Sequence, residues 1–305
     1  MNTSRSHGLA LVPQQFPKEG ALGTFVDDPM LTAVIGTLDE TRWRTILWTL
    51  ALQNSFTEQQ WGLKIPGFRF ASIGFADPET EEDAFGIMAY TQAWSQKGER
   101  RSFDLGGASF PVIVRPSFEE FHGWPEVHPA LGTAGCWARS RKTGFSNQVA
   151  VLTAKHVVGE IPPGTSVNTT HGVGKLLDLA PGSIDAALVV PPASVTPNLE
   201  GPLETLRYVA QWTDVQFTGM GSRKIIPTKV TEVWFRDINH PGVPARIFLA
   251  KGGSRGDSGA LVVDKQGRGV AIYMGFEVNT ATERAEGLCQ HLDQAASLLE
   301  CDLYH

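Results

Sequence analysis

Ser258 lies inside Gly253-Ser-Arg-Gly-Asp-Ser-Gly-Ala260, where three glycines and an aspartate crowd one hydroxyl. Glycine accepts backbone angles closed to other residues, so such a turn can aim several backbone N–H groups at one point. A reacting carbonyl oxygen at that point would sit in an oxyanion hole, with Ser258 as the nucleophile beside it. A tight hairpin turn uses the same residue types, and the segment alone does not choose between the two readings. A serine hydroxyl is a weak nucleophile at neutral pH and needs a base within hydrogen-bond reach. Histidine suits that task, and the imidazole in turn needs an acceptor that fixes its tautomer.

Two upstream segments offer those partners. His156 ends the apolar run Val151-Leu-Thr-Ala-Lys-His156, and Asp185 opens another, Ile184-Asp-Ala-Ala-Leu-Val-Val190. An aspartate leading into an apolar strand is costly to bury without a partner, and a histidine N–H would supply one. Taken separately, His156 reads equally as a strand-end histidine and Asp185 as a turn acceptor.

The elements that must position these residues are short. From position 133 onward, β-type segments recur with turn residues between them: 133–139, 148–158, 175–179, 184–190, 208–215, 229–235, 246–250, 260–263 and 269–274. That density suggests a closed or sandwiched all-β domain. A helical stretch at 289–299, with Leu292, Ala295, Leu298 and Leu299 on one face, is expected to close the chain. Before position 121 the pattern differs. Asp39 is an expected N-cap for a helix to Gln53, and strands are expected at 68–75, 84–90 and 110–114. These read as a small α+β domain over 1–121, joined by a Pro- and Gly-rich linker over 122–132 to a domain over 133–305. The acidic run Asp77–Asp83 reads as an exposed loop, and His122 and His128 in the linker fit no common metal spacing.

Thr153-Ala-Lys-His156, Ile184-Asp-Ala-Ala-Leu188 and Gly256-Asp-Ser-Gly259, in that order, resemble the signature blocks of the trypsin/chymotrypsin-like serine proteases. The resemblance implies a mainly-β, chymotrypsin-like double β-barrel with a C-terminal helix. It further implies an endopeptidase with His156, Asp185 and Ser258 as catalytic residues and the amides of Gly256 and Ser258 as the oxyanion hole. Asp257 would hold the turn in its active shape. Gly252 would lie at the base of the primary pocket, with Lys251 and Arg255 flanking it and favouring an acidic or polar substrate residue. Tyr273, Met274 and Gly275 would wall that pocket and pair with substrate backbone. Val157 stands where the digestive members carry a bonded cysteine, and an Ile-Val-Gly-Gly start is missing, so activation by a freed N-terminus is not expected. The chain is more similar to bacterial intracellular trypsin-like proteases with an added N-terminal domain, for which a regulatory or partner-binding role is expected. A binding protein on the same fold, or an esterase using the same triad, are the competing readings.

Bulk properties narrow the classes. A net charge of −6 over 305 residues argues against a phosphate-binding surface, and no apolar run reaches the length of a membrane span. The N-terminal residues lack a signal-peptide core. Three cysteines, Cys136, Cys289 and Cys301, make an odd number with no zinc-site pairing, which points to a reducing cytoplasm and to no metal or other cofactor. A protein or peptide is the expected partner. His171, His240 and His291 fall outside the motifs and read as surface or packing residues.

Overall fold

The computed structural model describes residues 12–18, 21, 38–75, 84–91, 99–116, 132–197, 199–234, 246–279 and 284–305. They fall into two compact units. The first comprises Met1–Pro125, Tyr208–Thr213 and Val230–Pro244, and the second Glu126–Arg207, Asp214–Lys229 and Ala245–His305.

In the first unit, helix α1 spans Glu40–Glu58, and Asp39 caps it by accepting the Arg42 N–H at 3.0 Å. Its buried residues include Ile46, Leu47, Trp48, Leu50, Ala51 and Leu52, so more than one face is covered, unlike a surface helix with a single apolar stripe. Thr45 and Thr49 tolerate this burial by donating to the carbonyls of Thr41 and Thr45, both at 2.8 Å. Beside it, strands β1 (Phe68–Phe75), β2 (Phe85–Thr91), β3 (Arg100–Leu105) and β4 (Ala108–Pro116) form a sheet in the order β1-β2-β4-β3. The β2–β4 pair is parallel and the others antiparallel. Strand β3 went unread in the sequence because its burial alternates around charged residues rather than forming an apolar run.

The first unit is not contiguous in sequence, which differs from an expected boundary near 121 followed by a single protease segment. Tyr208 and Ala210 are buried in its core with Ile73, Phe75 and Trp48. Gln211 is fully buried and donates to the Ile73 carbonyl at 2.8 Å, satisfying main chain that a sheet centre would otherwise leave bare. The residues expected as an acidic loop, and the linker apart from Gly132, lie outside the described residues.

The second unit holds two antiparallel sheets. One contains β5 (Cys136–Ser140), β6 (Val149–Thr153), β7 (Ser166–Thr169), β8 (Gly172–Leu179), β9 (Ala187–Val190) and β16 (Cys301–Tyr304), in the order β16-β5-β6-β9-β8-β7. The other contains β10 (Asp214–Phe217), β11 (Ile226–Trp234, whose residues from Val230 onward belong to the first unit), β12 (Arg246–Leu249), β13 (Leu261–Asp264), β14 (Gly269–Asn279) and β15 (Arg284–His291). Within it the order β10-β13-β14-β15-β12-β11 returns to β10 through a β10–β11 pairing, so the sheet closes on itself as a barrel without free edges. This is the mainly-β, chymotrypsin-like fold, with a C-terminal helix and an α+β region before it.

Three details differ from the sequence reading. The run 148–158 breaks after Thr153 into a one-turn helix α2 (Lys155–Val158), stopped by Gly159 at a φ of 78°. The C-terminal helix α3 is shorter, Leu292–Leu298, because 284–291 is strand. The chain then continues into β16, whose Cys301 and Leu303 are buried in the same core as Cys136 and Leu152.

Candidate active site

His156 owes its position to β6. Ala150 and Leu152 are fully buried on one face of that strand, and α2 begins two residues after it ends. Lys155 fastens the helical turn to the loop before β9, with its Nζ donating to the Gly182 carbonyl at 2.7 Å. The same loop carries Asp185, which lies just ahead of β9 rather than within it and is only 7% exposed.

The carboxylate of Asp185 meets His156 twice. Its Oδ1 accepts the His156 backbone N–H at 2.9 Å, and its Oδ2 lies 2.6 Å from the ring Nδ1. An ionised carboxylate only accepts, so the ring proton on this side belongs to Nδ1, and in the neutral imidazole Nε2 is then the acceptor. Burial pushes the Asp185 carboxyl upward. The hydrogen bond and charge of His156, followed by the charge of Arg246, outweigh that and hold it below the usual carboxylate value.

The Ser258 turn leads into β13, in the other sheet of the same unit. Gly256 and Gly259 both hold a φ of 95°, where a side chain would be strained. At Gly259 a Cβ would also fall 2.1 Å from the Thr133 carbonyl oxygen and 2.3 Å from Thr153 Oγ1. The close approach is built around Thr133. Its N–H donates to the Ser258 carbonyl at 2.7 Å, its Oγ1 donates to the Gly256 carbonyl at 2.8 Å, and its own carbonyl accepts Thr153 Oγ1 at 2.8 Å. Thr153 is the last residue of β6, so the serine turn is laced directly onto the strand that delivers His156. Ser258 Oγ itself donates to the Met274 carbonyl at 2.7 Å, and among the described residues no hydrogen bond joins it to the His156 ring. Nor are the N–H groups of Gly256 and Ser258 committed to an acceptor among the described residues.

Asp257 is fully buried beneath the turn. Each of its oxygens takes one backbone amide: Oδ1 from Ser222 and Oδ2 from Ser254, both at 2.8 Å. The Gly219–Ser222 loop comes close enough that a Cβ at Gly219 would lie 2.3 Å from Asp257 Oδ1. Two main-chain donors therefore occupy this carboxylate.

The expected pocket residues are spread over different environments. Lys251 and Arg255 are exposed, and Gly252 and Gly275 are half-buried. Met274 is buried and offers its carbonyl to Ser258. Tyr273 is fully buried, stacked on Phe217 with ring centroids 4.5 Å apart, and its hydroxyl accepts the Gly253 N–H at 2.6 Å. Its side chain is thus interior structure behind the Ser258 turn.

Three residues at the site carried no sequence signal. Thr133 follows the linker region without a motif, while Arg246 and Gln290 sit in runs that read only as strand or helix. Gln290 is fully buried, and its Oε1 accepts the Asp185 N–H at 3.1 Å. His291, expected as surface or packing, is fully buried as the cap of α3, with Nε2 at 2.9 Å from the Leu206 carbonyl. The three cysteines are buried and unpaired, and burial raises each thiol, Cys301 to about 12.

No protein-family model and no curated protein matches this chain. Among solved structures it is similar to a Nocardiopsis protease, at 17% identity over 57% of this chain and 95% of that one, with a TM-score of 0.42. A Cellulomonas bogoriensis chymotrypsin matches at 14% identity over 57% and 97%, with a TM-score of 0.40. A glutamic acid specific serine protease matches at 16% over 56% and 99%, with a TM-score of 0.41. These likenesses are distant, and the fold assignment stands on the strand order and the closed barrel.

Proposed function

We propose that this chain is a serine hydrolase that cleaves peptide bonds through an acyl-enzyme on Ser258. The observation that carries the reading is the His156–Asp185 pair, held at 2.6 Å just beyond the end of β6, the strand to which Thr133 binds the Ser258 turn. In this scheme the Ser258 hydroxyl turns from the Met274 carbonyl toward the free lone pair of His156 Nε2. As Oγ attacks the substrate carbonyl, its proton passes to His156, and Asp185 stabilises the imidazolium. The carbonyl oxygen becomes an anion facing the uncommitted amides of Gly256 and Ser258. His156 returns the proton to the leaving amine as the tetrahedral intermediate collapses. A water molecule, deprotonated by the same imidazole, then attacks the acyl carbon, and as the bond to Ser258 Oγ breaks the imidazolium returns its proton to that oxygen. Losing one oxyanion donor in sites of this kind costs about 3 kcal/mol of transition-state stabilisation.

The exposed cations Lys251 and Arg255 beside half-buried Gly252 support a preference for an acidic or polar substrate residue. Profiling against a peptide library tests it, and cleavage after Arg or Lys would reject it. We assign the first unit a regulatory or partner-binding role, and a reducing cytoplasmic location suits the three unpaired thiols.

The hydrogen bond from Ser258 to Met274 favours a second reading, in which the fold binds peptides without turnover. A fluorophosphonate probe separates the two. Labelling of the wild-type chain that disappears in Ser258→Ala supports the hydrolase, and equal labelling of both proteins removes Ser258 as nucleophile. A wild-type chain that binds peptides and is never labelled supports the second reading.

A further inference from the structure

The loop that carries Asp185 is gripped from the opposite sheet. Arg246, at the start of β12, is only 9% exposed. One of its terminal nitrogens donates to the Ser183 carbonyl, two residues before Asp185, and the other donates to Gln290 Oε1. That same oxygen accepts the Asp185 N–H, so Gln290 on β15 bridges the guanidinium and the loop. The Gln290 amide is itself oriented, with Nε2 donating to Gln294 Oε1 on α3 at 3.1 Å. Arg246, Gln290, Gln294 and Asp185 are all buried and Ser183 is half-buried, so these bonds hold the loop from within the packed interior.

A guanidinium stays charged at every pH a protein survives. Beside the carboxylate that faces His156, it opposes the field by which Asp185 favours the imidazolium. Among the described residues, the charged and titratable groups that act on Asp185 are His156 from α2 and Arg246 from β12. Lys155 of α2 reaches the loop at the Gly182 carbonyl, and Cys289 of β15 faces Arg246 with its thiol kept protonated by burial.

We propose that Arg246 is a positioning residue for the His156–Asp185 pair. From β12 it clamps the Asp185 loop through Ser183 and Gln290, and it sets a permanent charge beside the carboxylate that faces His156. The proposal rests on His156 acting as general base. It predicts that neutralising Arg246 moves the acid limb of activity upward, because the removed charge opposed formation of the imidazolium.

The test compares Arg246→Met, Arg246→Gln and Arg246→Lys with wild type in fluorophosphonate labelling rate against pH, alongside thermal melts. Arg246→Gln retains a donor for the Ser183 carbonyl or Gln290 and is the neutral variant expected to fold. Both neutral variants should shift the limb upward, whereas Arg246→Lys should titrate with wild type. A second readout is the NMR titration of the His156 ring, recorded with Ser258→Ala in each background, which requires no turnover. A folded neutral variant with an unshifted limb and an unshifted His156 titration overturns the proposal. So does an Arg246→Lys protein that shifts as far as the neutral ones. If the wild type is not labelled at all, the hydrolase reading fails separately. The NMR titration then decides alone whether Arg246 governs the pair.

Discussion

Replacing Asp257 with asparagine removes one charge and keeps the side chain's shape, so its effect follows from the two hydrogen bonds beneath the serine turn. Each carboxylate oxygen accepts one backbone amide, from Ser222 and from Ser254, at 2.8 Å. An asparagine has one acceptor oxygen, so one of those N–H groups would face an NH₂ donor inside a site with no solvent exposure. A buried donor left unsatisfied costs about 1–3 kcal/mol, and exchanging a charge-assisted bond for a neutral one adds about 1 kcal/mol. The sum, about 2–4 kcal/mol, should show as a lower midpoint in urea unfolding with an unchanged slope. The turn has another way out, rotation of the 256–257 peptide, which would carry the Gly256 N–H away from the carbonyl site. Labelling by a fluorophosphonate should then fall by about 10²–10³, the usual effect of one missing oxyanion donor. Intact mass of the labelled wild type should show the full chain, because two main-chain amides already hold the carboxylate without a newly cut terminus. An Asp257→Asn protein that unfolds with wild type and labels at the same rate would refute this account. Labelling confined to a cleaved wild-type species would do so as well.

Two further outcomes follow from the same structure. Burial holds His291 neutral, with a pKa near 4 against about 6.5 in an unfolded chain. The unfolded chain therefore takes up the proton first, and stability present above pH 6.5 should drain away toward pH 4, by up to about 3 kcal/mol. Urea midpoints across that range check this, and His291→Gln should flatten the dependence. Gly259→Ala combines a φ of 95° with a Cβ only 2.1 Å from the Thr133 carbonyl oxygen. It should lower stability by more than about 2 kcal/mol in thermal melts or prevent folding, and a variant that melts with wild type would count against the described packing of the turn.

Local chemistry was legible in the sequence wherever neighbours along the chain decide the outcome. Asp39 caps α1 through the Arg42 amide, an interaction three residues long, and β1 runs over the expected Phe68–Phe75. The Gly-Asp-Ser-Gly turn was readable because only glycine accepts the angles at 256 and 259. His156 and Asp185 were each visible at the edge of an apolar run, and their order made the pair worth expecting. Boundaries were less legible. The run 148–158 carries valines on both sides of Thr153, and nothing local says that it bends into α2 after that residue. The 284–291 strand and β16 were hidden because their burial comes from cross-strand partners, such as Cys289 opposite Ile247 and Leu303 opposite Ala138.

By itself, then, the sequence determined which residue types could perform acyl transfer, the β-rich texture that would carry them, and the turn that presents Ser258. Tertiary structure decided what holds those residues in place. Thr133 lies more than a hundred residues from Ser258 yet binds its turn to β6, and Gln290 reaches Asp185 from the far end of the chain. The Ser222 and Ser254 amides that hold Asp257, and the charge of Arg246 beside Asp185, are likewise long-range or main-chain contacts. A backbone N–H carries no residue identity, and a contact across two sheets leaves no spacing in the sequence. Such partners become visible only when the barrel closes and each buried donor must find an acceptor.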